Sequence, residues 1–265
     1  MFNAIHWHEE KVVVNNLTFH LQVYLKEDIR EHAESFVFYK DKKLIDMYSS
    51  YFQSITPNAS NFGNVLEIGM WDGGSAVFWH EILKPKKLIG IDLLKNRKGE
   101  AFEAYKKNHA ATFFDHWEVD QTDRSALTSI LAGHLKDEPL DLVFDDASHR
   151  YHQSLASFNI VFPYVKKGGY YIIEDWAWGH WLHEDSSVYP AFTEPTRLIF
   201  ELVEAAANIG LIESIHVCSG FTAIKRGQLD LPKEGFHLHD HIKRRPTAFK
   251  DRLKRRAKLM LGRNW

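Results

Sequence analysis

Cysteine is nearly absent: Cys218 stands alone among 265 residues. No intrachain disulfide can form, which excludes a disulfide-stapled fold and favours a reducing compartment. Cys218 lies in an apolar run and reads as a packed thiol. Long apolar runs are also missing, so no segment reaches the length of a bilayer span. Residues Met1 to Glu10 lack the basic-then-apolar order of a secretory leader, and a cytoplasmic setting is the expectation. There is no internal repeat and no low-complexity segment. Strong net charge is absent too, at −2 overall, but the balance is uneven. From Lys243 to Trp265 there are ten Lys or Arg and one acid, a tail of +9 on a body of −11. An acidic body is not the composition of a general nucleic-acid binder.

What is present is ordinary for a globular chain: 45% apolar and 26% charged residues. The length suits one α/β domain with additions and a sizeable core. Val12–Val14 and Leu17–Val23 are β-prone runs around Asn15-Asn16, a hairpin signal. Glu27–Phe36 and Lys40–Phe52 read as helices, the second with Leu44, Ile45, Tyr48, Tyr51 and Phe52 on one face. Pro57–Asn61 is a loop.

From Asn64 onward strands and helices alternate. Strands are expected at Asn64–Ile68, Lys87–Asp92, His116–Val119, Leu140–Asp145 and Tyr170–Glu174. Helices are expected at Ser75–Ile82, Gly99–Asn108, Arg124–Leu135 and Gln153–Val165, the last stopped by Gly168-Gly169. This pattern predicts a doubly wound, mostly parallel α/β sheet with helices on both faces. A helix over Pro195–Ile209 follows. Then Ile212–Cys218 and Phe221–Lys225 are joined by two residues, too few for a parallel crossover, so they must be antiparallel. The division is residues 1–60 as an N-terminal addition, 61–230 as the main domain and 231–265 as a basic tail.

Val65-Leu66-Glu67-Ile68-Gly69-Met70-Trp71-Asp72-Gly73-Gly74-Ser75 runs from a buried strand through glycines into a helix. Ligands of open α/β sheets bind beyond the carboxyl ends of strands. The spacing is not G-x-G-x-x-G, and Glu67 suits an ammonium and a sulfonium better than a pyrophosphate. The run resembles motif I of the class I S-adenosylmethionine-dependent methyltransferases. The resemblance implies that Glu67, Gly69 and Gly73 line the methionine part of the cofactor, with Ser75 beside them. It places Asp92, after the second strand, on the ribose hydroxyls and Asp120-Gln121, after the third, at the adenine. It also implies a seven-stranded sheet finished by the antiparallel hairpin.

The fourth strand ends Phe144-Asp145-Asp146-Ala147-Ser148-His149 and the fifth ends Ile173-Glu174-Asp175. If the two strands are adjacent, about 4.8 Å apart, their acids share one small volume. A metal, a proton or a basic side chain must neutralise them. Mg²⁺ or Mn²⁺ suits oxygen ligands. Taken singly, the first pair also suits a helix cap and the second pair solvated loop acids.

These residues, with Phe162-Pro163 and Gly168-Gly169, resemble the metal-dependent sugar O-methyltransferases of macrolide pathways. That resemblance covers roughly Asn64 to Asp175 and the final hairpin. It implies Asp146, Glu174 and Asp175 as metal ligands and His149 as general base. It further implies a glycosylated small-molecule acceptor. Ala147 departs from the family's glycine, and the first 60 residues and the tail show no match.

Trp176, Trp178 and Trp181 follow the acids and suit either an acceptor ring or simple loop packing. His237, His239 and His241 would share one face of a strand, a zinc pattern without partner spacing. The basic tail is expected to dock on the body or on a neighbouring subunit. Two other functions stay open: nucleic-acid methylation guided by the tail, which lacks the N/D-P-P-Y/F motif here, and cofactor binding without methylation.

Overall fold

The computed structural model describes residues 2, 5–21, 35–55, 62–95, 99–180 and 195–243. The N-terminal addition is a small sheet in the order β1 (Ile5–Trp7), β2 (Lys11–Val14), β3 (Leu17–Leu21), β4 (Phe36–Phe38). The β2–β3 hairpin forms as expected, because Asn15 and Asn16 both accept positive φ (47° and 70°) at its turn. Phe36 belongs to β4, parallel to β3, and not to a helix. Residues 22–34 and the loop 57–61 lie outside the described residues, as does nearly all of the basic tail. Helix α1 (Lys42–Ile55) follows, its first turn capped by Asp41, whose Oδ1 accepts from Leu44 N–H at 2.8 Å.

The main sheet contains β5 (Asn64–Ile68), β6 (Lys87–Ile91), β7 (Phe113–His116), β8 (Leu140–Asp145), β9 (Val165–Glu174), β10 (Ile212–Val217) and β11 (Phe221–Arg226). Their order is β10-β11-β9-β8-β5-β6-β7, and only β11 runs antiparallel to its neighbours. Between them lie α2 (Gly74–Leu83), α3 (Glu100–Asn108), α4 (Arg124–Leu135), α5 (Tyr151–Val161) and α6 (Thr196–Ala206). The doubly wound, seven-stranded expectation holds.

Two expected boundaries shift. The third strand is Phe113–His116, because the chain turns at Glu118, with φ 58°. Lys166–Gly169 do not stop a helix. Helix α5 ends at Val161, a short turn through Pro163 follows, and β9 already begins at Val165. Gly168, with φ 77°, lies where the β8–β9 register slips between Leu140 and Leu142.

Alternation along the strands sorts the core into two layers. Val65, Leu88, Leu142, Phe144 and Ile172 pack with α1, α2 and the small sheet. Leu66, Ile89, Val143, Tyr171 and Ile173 pack with α4, α5 and α6. Aromatic contacts seat α1 on the first face, with Tyr48 stacked 4.3 Å from Phe221. The small sheet docks through β4: a Cβ on Gly74 would collide with the Val37 carbonyl, so only glycine lets β4 reach the start of α2.

Candidate active site

The same alternation decides which acids meet. Glu67 and Glu174 point to the face of α1 and α2, and Asp146 lies just beyond β8. Strands β8 and β9 are adjacent, as expected. Asp175 joins the group because the strand has ended: its φ of 49° turns the chain there, which lets consecutive acids serve one site. Asp145 does not join. It faces the other layer, where Ser157 and Tyr171 hydroxyls donate to its Oδ2 at 2.5 and 2.7 Å. Burial pushes its carboxyl up to about 6, against the pull of those two donors.

A basic side chain sits within the cluster and offsets part of its charge, and sequence reading missed it. Lys40, between β4 and α1, is 2% exposed. Its Nζ donates to Asp146 Oδ2 at 2.8 Å and to both Glu174 oxygens at 2.8 and 2.7 Å. Burial disfavours its charge, but the attraction of Asp146 and Glu174 outweighs that and raises its pKa. Glu174 and Asp175 are both shifted upward, by burial first and then by the charge of Asp146. The only local signal was the apolar run Phe36–Tyr39 ending in Lys40-Asp41, a strand end before a helix cap.

His149 stands over the acids. Its Nε2 is 4.0 Å from Asp146 Oδ1 and 4.0 Å from Asp175 Oδ2. One ligand atom from each of Asp146, His149 and Asp175 can lie within 4.8 Å of the others, a spacing a divalent cation can span. This spacing suits a divalent cation; Glu174, the third expected ligand, is not in the group, and both of its oxygens are held by Lys40. The other such group among the described residues, His80, Glu81 and His109, is already satisfied internally. Tyr105 and Asn15 donate to Glu81, and both His80 nitrogens have hydroxyl partners.

A cavity of about 780 Å³ opens onto these residues, within the usual range for a small-molecule site. Asp146, His149, Glu174 and Asp175 line it with Gly69, Met70, Trp71 and Ser75 of the glycine loop. Tyr39 and Lys40 also line it, with Trp178 beside His149. Trp71, His149 and Asp175 all have positive φ (49°, 51° and 49°), a concentration of backbone strain typical of functional sites.

Of the expected cofactor residues, Gly69 and Ser75 line the cavity, whereas Glu67, Gly73, Asp92, Asp120 and Gln121 do not. Glu67 is fully buried, and neither carboxylate oxygen has a hydrogen-bond partner. Burial raises its pKa to about 8, with Lys40 pulling the other way. An unpartnered buried carboxylate beside a glycine loop fits an ammonium-bearing ligand. Gly69 has φ 87°, and a Cβ there would fall 2.5 Å from the backbone of Asp146 and Ala147, so glycine lets the two loops meet. Gly73, φ 85°, caps α2. Asp92 is buried and accepts from Trp71 N–H and Leu94 N–H, each at 2.7 Å, which fixes the loop.

Asp120 and Gln121 do not reach the cavity with their side chains. Asp120 is exposed and closes a turn onto Thr122. Gln121 is buried, its amide donating toward Asp145 and Ser157. Trp176 donates to the Cys218 carbonyl at 2.8 Å. Trp181 lies outside the described residues. The histidines near the end share no site: Leu238–His241 is a 3-10 turn, His239 pairs with Glu201 at 2.9 Å, and His241 meets Asn208.

The sheet order puts the cavity beyond the ends of β5, β8 and β9. Residues 66–176 match the family described as methyltransferase domain. Among curated relatives, demethylmacrocin O-methyltransferase of Streptomyces fradiae is 32% identical over 124 residues, 44% of this chain and 28% of that enzyme. Mycinamicin VI 2''-O-methyltransferase of Micromonospora griseorubida is 30% identical over 125 residues, again 44% of this chain and 28% of that enzyme. The chain thus spans well under half the length of these two relatives. A solved structure of MycE methyltransferase from the mycinamycin pathway, in complex with Mg, SAH and mycinamycin VI, shares the fold. It has TM-score 0.50 and 22% identity over 77% of this chain and 51% of that one. No helix among the described residues is long and apolar enough to cross a membrane.

Proposed function

We propose that this chain transfers a methyl group from S-adenosylmethionine to a hydroxyl of a sugar or glycosylated small molecule, with a divalent cation, Mg²⁺ or Mn²⁺. The observation that carries the reading is one cavity joining the Gly69 loop to Asp146, His149, Glu174 and Asp175. The relatives named above, O-methyltransferases of macrolide pathways, support the acceptor class. The single cysteine fits a cytoplasmic setting.

Glu67, Gly69, Gly73, Ser75 and Asp92 would hold the cofactor, Glu67 facing its ammonium and Asp92 its ribose, with Asp120 and Gln121 bordering the adenine through their backbone. Asp146, Glu174 and Asp175 would hold the cation. Bound there, the cation supplies electrostatic stabilisation of an alkoxide, and the cofactor supplies an electrophilic methyl. His149 would take the hydroxyl proton at Nε2. Asp146 and Asp175, each 4.0 Å away, stabilise the imidazolium that results. Tyr39, Trp71 and Trp178 wall the cavity with aromatic faces suited to a sugar ring.

The test is transfer of label from methyl-labelled cofactor to a panel of hydroxylated glycosides, with Mg²⁺ and after chelation. Label should reach an acceptor only with the cation present. Transfer at full rate in chelator would remove the cation from the reading, and transfer to nucleic acid instead would replace the acceptor class.

A further inference from the structure

Lys40 comes from outside the methyltransferase domain match, which starts at residue 66. The small N-terminal sheet delivers it. On one side Val37 is locked against Gly74, and on the other Asp41 caps α1. The ammonium is thus held at the ends of β8 and β9 from both directions. All of its hydrogen bonds go to acids: one to Asp146 and two to Glu174. Glu174 has both oxygens engaged, while Asp146 keeps Oδ1 turned toward His149. Ionised, Asp146, Glu174 and Asp175 with the Lys40 ammonium would carry a net charge of −2, which one divalent cation balances.

We propose that Lys40 is a positioning residue and the built-in counter-cation of this acidic site. It fixes Glu174 and one oxygen of Asp146, and its charge opposes the divalent ion, which holds that ion's affinity down. The N-terminal sheet therefore completes the site rather than merely adorning it. This inference rests on the proposed cation role of the acids, and its test separates the two.

Mn²⁺ binding to the full chain is read by the electron paramagnetic resonance of the free ion, which needs no turnover. Lys40→Met should bind Mn²⁺ at least about ten-fold more tightly than the parent, about 1.4 kcal/mol. Lys40→Gln, which keeps an N–H donor without the charge, should shift in the same direction. A purely structural lysine predicts weaker or equal binding. Without metal both variants should melt below the parent, and Mn²⁺ should recover most of the difference. If a variant is hard to isolate, its refolding yield should depend on Mn²⁺.

Folded variants that bind Mn²⁺ no better than the parent would overturn the proposal, as would refolding indifferent to the ion. If the parent binds no Mn²⁺ but Lys40→Met does, the cation falls from the proposed function and Lys40 stands as its replacement. If neither binds, both ideas fall.

Discussion

Asp145 ends β8 on the face packed by α4, α5 and α6, whereas Asp146, one residue on, faces Lys40 and the cavity. Asp145 is 2% exposed and accepts from two hydroxyls of its own layer. Asp146 keeps a fifth of its side chain exposed, with one oxygen on Lys40 and the other toward His149. The pair teaches that acidity at a strand end does not make a catalytic acid. The alternation of the strand decides which carboxylate is buried among the helices and which faces the cavity.

The largest effect should come from the cavity side. His149→Ala should slow methyl transfer by about 10²–10⁴-fold, the usual contribution of a general base. Binding of S-adenosylhomocysteine by calorimetry should stay near parental, because Glu67 and Asp92 are untouched. A variant as active as the parent would remove the base from this face and break the contrast with Asp145.

The scaffold side should answer in stability and its pH dependence. The Asp145 carboxyl moves from 3.8 to about 6 on folding, so the native chain holds its proton more tightly than the unfolded chain does. That contribution is full below about pH 4 and is lost as pH rises to about 6, an amplitude of about 3 kcal/mol. Asp145→Asn should flatten this stretch of the curve relative to the parent, in denaturant titrations at successive pH values. The difference matters, because Glu67, Glu174 and Asp175 shift in the same direction and remain in both proteins. Parallel curves would mean that Asp145 is not the buried acid described here.

How much of this could be read from the chain follows from the range of the interactions. Strands β5, β6, β8 and β9 announce themselves as apolar runs, and the Gly69 loop and the Asp146–His149 spacing are local patterns. The antiparallel β10–β11 pair follows from its two-residue turn. Lys166–Gly169 misleads because glycines stop helices and also sit in bulges, and only the β8–β9 register tells them apart. The third strand slides three residues because Phe113–His116 and His116–Val119 are equally strand-like, until the turn at Glu118 decides. Lys40 is invisible for a deeper reason. Its partners lie 106 and 134 residues away, and no local pattern carries a contact of that separation. The side-chain directions of Asp120 and Gln121 depend equally on neighbours supplied by other segments.

The smallest effect separates two tryptophans that sequence alone leaves equal. Trp176 donates its indole N–H to the Cys218 carbonyl and packs on the α4–α6 layer. Trp178 lines the cavity, its ring 6.0 Å from that of His149. Trp176→Phe keeps an aromatic ring but loses one hydrogen bond and part of the indole, so it should cost about 1 kcal/mol of stability or somewhat more. The acceptor KM should hold steady, since the indole points away from the cavity. Trp178→Ala should do the reverse, raising the acceptor KM with little change in melting, because its ring lines the cavity and belongs to neither core layer. Stacking of a ring on an aromatic face contributes about 0.5–1.5 kcal/mol, so a KM change of roughly two- to ten-fold is the expected size. A Trp176→Phe variant with parental stability and a raised KM would exchange the two roles, and would move the acceptor from the His149 side of the loop toward Cys218.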